Sequence, residues 1–414
     1  MNRAVAAVGL VFLLNVALYA SQANQKTIKD QAEYNAYITA LNTQDPRAKA
    51  AAMEAFFSQY PASVMKVDAL EQAMAAYQQA GEVTKVGQTA DRILQIDPSS
   101  VRALAIAAFL KRTTATANGD TKLAQDAGAL AQRGLAALAG WTKPEETSDA
   151  EFQKLRNQMA VIFHGAAGFA AMQAKNFASA RDSYLKSVQI DPNNMQDVYQ
   201  LGLADLQMTP LDVNGFWYAA RAISLAQTQN NQRAANGIAE YGKAMYRRYH
   251  GNLDGWDQLV ASAANQTAPP ANFAASIKKA PTPAEVACLA VAQNDPDTLS
   301  FSDREFILQF RDAAPCNKEA ADKVWASILN MEKHGAAKLQ IPVKVISADS
   351  KNIEAAITEE NQSANKADLR VVMEKPLAKP PAAGAMVEVI GVIAEYTPNP
   401  FMFFMEKGAL PEKK

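Results

Sequence analysis

Few residues in this 414-residue chain could do chemistry. It has two cysteines, Cys288 and Cys316, and three histidines, His164, His250 and His334. In an oxidising compartment the two thiols can pair as a disulfide. The alternative is two buried, unpaired thiols. A metal site is not expected, because no CxxC occurs and no histidine lies near either cysteine. His164 falls at an inter-helix packing position and His334 ends a helix beside Gly335, so both are expected to pack or cap. Gly237, Gly242 and Lys243 have the spacing of a phosphate-binding loop, which needs Ser or Thr after the lysine to hold magnesium. Ala244 stands there instead, and the segment reads as continuous helix. In YHGNLDGWDQL, His250, Asn252, Asp254 and Gly255 echo a calcium loop. His250 and Ala261, however, stand where the first Asp and the bidentate Glu belong. A helix-capping turn with Trp256 packed back onto the helices is expected. No GxSxG, HExxH or dinucleotide glycine fingerprint occurs, and nothing nominates a nucleophile–base pair. The expectation is a non-enzymatic chain with no cofactor and no bound metal.

The elements that would position these residues follow from composition and pattern. Nearly half of the residues are apolar, and 41 basic residues nearly cancel 42 acidic ones. No block of like charge stands out, so a nucleic-acid partner is not expected. The start, MNRAVAAVGLVFLLNVALYASQANQ, places Arg3 before an apolar run from Ala4 to Ala20, followed by the small residues of Ser21-Gln22-Ala23. That order is the signature of a secretory signal peptide over 1–23. The chain is expected to be exported to the periplasm or cell envelope. The alternative is an inner-membrane anchor formed by the uncleaved segment. Asn15 interrupts the run, which sits at the short limit for spanning. No later stretch is long and apolar enough to cross a bilayer, so no transmembrane span remains after signal removal.

One phrase occurs twice, as LQIDPSS at 94–100 and VQIDPNN at 188–194. A helical hairpin is expected before each copy. Gly168 precedes Pro192 by 24 residues, and Phe177, Ala180 and Tyr184 lie between them. These spacings resemble the tetratricopeptide repeat, a 34-residue helix–turn–helix unit with Gly, Ala-x3-aromatic and a closing Pro. The small residues let helices approach, the aromatics fill the space between turns, and the proline ends the second helix. On this register one repeat is 161–194, and the next begins at 195 with Leu201-Gly202 in the Leu-Gly slot. Another is 67–100, with Tyr77 and Gly81 in place but Met74 and Val86 where small residues are usual. An earlier unit spans about 30–63 and closes at Pro61. A further pair over 101–140 is expected to be broken by an extended loop at TTATANGDT. Helical patterning continues to about 264. The resemblance implies an α-solenoid over 24–264, because single hairpins must stack to bury their apolar faces.

Residues 265–283, NQTAPPANFAASIKKAPTP, read as a linker. A small α+β domain is expected over 284–410. One or two helices lead it, the clearest being NKEAADKVWASILNMEKHG, and strands follow at KLQIPVKVIS, DLRVVMEK, AMVEVIGVIAEY and PFMFFMEK. Apolar residues on both sides of VEVIGVIAEY point to a closed or half-covered barrel. That segment and the following FMFFMEKG resemble part of a bacterial OB-like β-barrel. OB barrels often bind oligonucleotides or oligosaccharides. Phe401, Phe403 and Phe404 are expected in the barrel core.

The fold class is therefore mainly α: a tetratricopeptide-type superhelix followed by a small, OB-like α+β domain. The resemblance implies a scaffold that holds a protein or peptide partner in the concave groove. The family's groove positions fall at Asp68, Glu71 and Gln78, and at Gln196, Tyr199 and Leu203. The alternative is a glycan- or lipid-binding envelope protein that acts through its barrel.

Overall fold

The computed structural model describes residues 27–143, 147–331 and 338–411. The expected signal segment and His334 lie outside the described residues. The chain divides into two compact units, residues 1–279 and 280–414.

The first unit is a stack of antiparallel helix pairs. These are α1 (Gln31–Leu41) with α2 (Pro46–Gln59), α3 (Lys66–Gln79) with α4 (Val83–Ile96), and α5 (Val101–Asn118) with α6 (Thr121–Ala139). They continue with α7 (Asp149–Gln173) and α8 (Phe177–Ile190), α9 (Met195–Gln207) and α10 (Asn214–Thr228), and α11 (Gln232–His250) and α12 (Trp256–Asn265). Each helix packs on the next, α12 meeting α11 through Trp256 and packing on α10 as well; α5, α7 and α9 also touch in series. This is a helical-repeat solenoid. Its close approaches sit where small residues allow them. A Cβ on Gly168 would come 2.9 Å from the ring of Tyr184, and one on Gly134 would come 2.1 Å from the ring of Phe163. Tyr184 and Ala180 are fully buried between the helices.

The repeated phrase has a repeated job. In both copies the Asp closes the preceding helix through its own N–H, to Ile93 O and to Ser187 O. Its carboxylate then accepts the N–H two residues on, Ser99 N at 3.0 Å and Asn193 N at 3.1 Å. Ser100 and Asn194 cap the helices that follow. Even the proline carbonyl is treated alike. Arg133 Nη2 donates to Pro98 O at 2.8 Å, and Arg221 donates to Pro192 O from Nε and Nη2. The phrase is a helix-end, turn and helix-start in seven letters.

One sequence expectation is corrected here. TTATANGDT is no extended loop, because α5 runs on through Asn118. Thr113 and Thr116 donate their hydroxyls back to the carbonyls of Phe109 and Arg112, and Ala115 is buried. Only Gly119, at φ +71°, and the capping Asp120 break the chain. Within the stretch read as a linker, Phe273 and Ile277 are buried, and Phe273 meets Trp217 edge-on at 5.2 Å. Arg221 also reaches the carbonyls of Ala263 and Gln266, at 3.3 and 3.1 Å, and ties this stretch to α10.

The second unit begins with helices α14 (Pro283–Gln293), α15 (Phe301–Gln309) and α16 (Pro315–Asn330), one more than the sequence pattern gave; a four-residue α13 (Phe273–Ser276) closes the first unit. The Cys288–Cys316 disulfide joins α14 to α16, with Cα atoms 5.5 Å apart. Five strands follow: β1 (Leu339–Ala348), β2 (Asn352–Ala356), β3 (Leu369–Met373), β4 (Met386–Pro398) and β5 (Phe401–Ala409). They close in the order β1-β2-β3-β5-β4. β4 returns beside β1, which makes a Greek key of the first four strands, and β5 closes the ring parallel to β3. That is a five-stranded, OB-like barrel. A short helix, α17 (Glu359–Ala364), joins β2 to β3. Alternate residues point inward, such as Ile341, Val343 and Val345 on β1 and Phe401, Phe403 and Met405 on β5. Gly391 lies where β4 bends across β5. A Cβ there would come 2.6 Å from Met405 Cγ and 2.8 Å from the carbonyl oxygen of Glu406.

Candidate functional site

The first helices of successive pairs, α5, α7 and α9, line up side by side. Arg112 on α5 donates from Nη2 to Asp197 Oδ1 on α9 at 2.9 Å, passing over α7. Gly165 on α7 makes room: a Cβ there would come 2.3 Å from Arg112 Nη1 and 2.8 Å from Asp197 Oδ2. Asp197 is 1% exposed, and its other oxygen accepts Ser187 Oγ at 2.6 Å. The carboxylate is paired and hydrogen-bonded, as a buried charge must be. The bond ties three consecutive first helices into one surface.

The groove positions expected from sequence lie on α3 and α9. Asp68 is 5% exposed, so it sits beneath the surface and is not presented to a partner. Glu71 is half-buried, accepting Ser100 Oγ at 3.3 Å and lying 3.9 Å from Arg102. Gln78, Gln196 and Leu203 are partly exposed. Tyr199 is half-buried against the core of the last repeats. Burial, and then the neighbouring Tyr241 on α11, push its hydroxyl above the usual tyrosine range. Burial raises the Tyr241 hydroxyl as well, opposed by Gln207. The α9 set thus meets α11, while the α3 set lies on the far side of α5 and α7.

A second polar cluster, unseen in the sequence, closes the end of α9. Arg181 Nε on α8 lies 3.2 Å from Asp205 Oδ1 and 3.5 Å from Asp212 Oδ2. Asp205 is 1% exposed, and neither of its oxygens receives a well-formed hydrogen bond. Burial, reinforced by Asp212 and opposed by Arg181, pushes its carboxyl up to about 7.

The motifs declined from sequence are structural. Gly237 to Lys243 lie inside α11. The turn after His250 uses Gly251 and Gly255 at positive φ, and Trp256 is buried against Gly242. His250 Nδ1 lies 2.7 Å from Lys278 O, and burial, ahead of the Lys186 charge, lowers the pKa of His164. Among the described residues no three His, Cys, Asp or Glu side chains are grouped to hold a metal. No described helix is long and apolar enough to cross a membrane.

The barrel's aromatics are spent on packing. Phe401 and Phe403 are buried edge-to-face at 4.8 Å, and Tyr396 meets Trp325 at a tilt, with ring centroids 4.8 Å apart. Phe404 is the partly exposed member of that run. A shallow opening of about 350 Å³ lies between α15 and β1, lined in part by Ser302, Gln340, Thr358 and Glu359. Among the described residues no cation lines it.

No family model matches this chain. No curated protein matches it either. Among solved structures, the crystal structure of the apo form of RapI is similar over 73% of this chain and 99% of that one, at 10% identity and a TM-score of 0.35. At that score the likeness carries no weight for function.

Proposed function

We propose that this chain is a non-enzymatic scaffold of the periplasm or cell envelope, holding a protein or peptide segment against the first-helix face of its solenoid. One observation carries the reading. The Arg112–Asp197 bond fixes α5, α7 and α9 as one surface, and α9 leaves Gln196, Tyr199 and Leu203 partly exposed on it. Rigid, preorganised helices with a half-exposed aromatic lower the entropy lost on binding. Export is supported by the signal-like start and by a disulfide that an oxidising compartment would preserve. Crosslinking in intact envelopes followed by mass spectrometry tests the scaffold. Crosslinks from α9 to one recurrent partner, lost in Tyr199→Ala, are expected. Recovery of the chain only in the cytosol with Met1 intact would overturn the export reading.

A further inference from the structure

We propose that Asp205 is a proton-sensitive latch on the corner between α9 and α10. The argument is one of charge balance. Among the described residues Arg181 on α8 is the cation that lies between two carboxylates, Asp205 at the end of α9 and Asp212 in the connecting loop. A third carboxylate, Asp182, touches Arg181 from the solvent side at 3.5 Å, and the Tyr218 hydroxyl on α10 also acts on the cluster. These are the charged and titratable groups that act on Asp205. With Asp205 ionised, a buried negative charge shares its counter-ion and lacks donors of its own, which is costly away from water. A proton on Asp205 removes the excess and leaves Arg181 to Asp212.

The corner is built to respond. Its loop is fastened to the same residue, since Asp212 N donates to Asp205 O at 3.0 Å, and Asp212 Oδ1 accepts Asn214 N at 2.9 Å. Gly215 packs so closely that a Cβ there would come 2.9 Å from Asp205 Cβ. When Asp205 ionises, the carboxylate can gain water only if loop 207–213 lifts away. The high proton affinity already noted for Asp205 agrees with this geometry. The same helix carries Tyr199 and Leu203, so the latch would act on the helix proposed to contact a partner. The inference does not rest on that reading, because its test needs no partner.

The experiment follows the full-length protein with carboxyl-labelled aspartate by NMR, and measures amide exchange, corrected for intrinsic rates, between about pH 5.5 and 8. One aspartate should titrate near about 7, and protection of residues 207–213 should fall across the same range. Asp205→Asn, which mimics the protonated form, should abolish that titration and make protection independent of pH. Asp212→Asn removes the second carboxylate and should shift the Asp205 titration to lower pH; it also serves if Asp205→Asn does not fold. An Asp205 that titrates in the ordinary carboxylate range, or protection of 207–213 that is flat with pH in the unmodified protein, would overturn the proposal.

Discussion

Both units bury a guanidinium against backbone carbonyls, and the helical unit adds arginines that meet carboxylates between helices. In the helical unit the buried Arg221 donates to the carbonyls of Pro192, Ala263 and Gln266, whereas Arg112 reaches a carboxylate on another helix and Arg181 is shared between two. In the barrel unit Arg304 is fully buried and meets no carboxylate: it donates to the carbonyls of Leu299, Pro296 and Asp297 at 2.9–3.1 Å. The solenoid fastens some of its helices through carboxylates, so those joints have a partner that can be lost or protonated. The barrel is closed by backbone pairing and filled with apolar side chains, and its Arg370–Glu354 and Lys338–Glu374 ion pairs are partly exposed. A surface that must stay open to a partner is expected in the first arrangement.

The sharpest way to break that contrast is to remove one member of a pair. Asp197→Ala would leave Arg112 without its anion, and loss of one partner of a buried pair costs about 3–5 kcal/mol. Denaturant unfolding followed by helical circular dichroism should register the whole loss. Phe403→Ala should cost the barrel a similar amount, about 3–5 kcal/mol, through a cavity and not through a charge. The two variants separate in a double-mutant cycle with Arg112→Ala: the Asp197→Ala deficit should shrink once Arg112 is already gone, while the Phe403→Ala deficit persists. Equal deficits in the two backgrounds would show that charge is not what fastens the helices.

Next in size is the disulfide. Closing the loop from Cys288 to Cys316, a separation of 28 residues, is worth roughly 3–4 kcal/mol in the chain-entropy model. Reduction should speed amide exchange in α14, α16 and the barrel and leave the solenoid's exchange unchanged. Loosening of α5 to α9 on reduction would mean that the units do not keep separate accounts of stability.

Much of this arrangement was legible in the sequence, and what was missed has physical reasons. The Ala180–Tyr184 spacing and the two Asp-Pro phrases read correctly because local sterics fix them: a small residue facing a ring, and a proline that stops a helix. Cys288 and Cys316 could be paired because there were no others. TTATAN was misread because threonine favours loops on propensity, whereas here the hydroxyls of Thr113 and Thr116 each find a carbonyl one turn back. β2 was missed because NIEAA is short and holds two alanines, and its pairing with β1 and β3 is what makes it a strand. Arg112, Gly165 and Asp197 give no local signal, since their meaning lies in bonds between residues 85 positions apart. On the groove face, the register placed Tyr199 at a contact position, but a repeat pattern cannot tell half-burial from exposure.

Tyr199 therefore sharpens the contrast at smaller amplitude. A half-buried ring gives up less packing than a core one, so Tyr199→Ala should cost about 1–2 kcal/mol. If α9 is the contact helix, capture of the crosslinked partner per folded molecule should also fall at least tenfold, the behaviour of a binding anchor. Unchanged capture with the same stability loss would assign the ring to packing alone.

The smallest effect belongs to the barrel's own acid pair. Glu305 and Asp368 are both buried and both accept the side-chain amide of Asn361, at 2.9–3.1 Å. Asp368 is further satisfied by Ile357 N, Thr358 N and Thr358 Oγ1, whereas Glu305 has only Gln309 besides. Burial, and the charge of Asp368, raise the Glu305 carboxyl above its usual range, although hydrogen bonds from Asn361 and Gln309 pull the other way. A raised folded-state value means the folded protein holds this proton more tightly than the unfolded chain does. Stability from this group is therefore highest in acid, falls as pH rises through the unfolded glutamate value of about 4.3, and levels off above the folded one. Glu305→Gln keeps the shape and removes the titration, so the barrel's stability should lose the decline that sets in as pH rises past about 4.3. Its amplitude should be smaller than for Asp205→Asn, because Glu305 receives donors that Asp205 lacks. If the Glu305 slope proved the steeper, missing donors would not be what makes a buried carboxylate proton-sensitive in this chain.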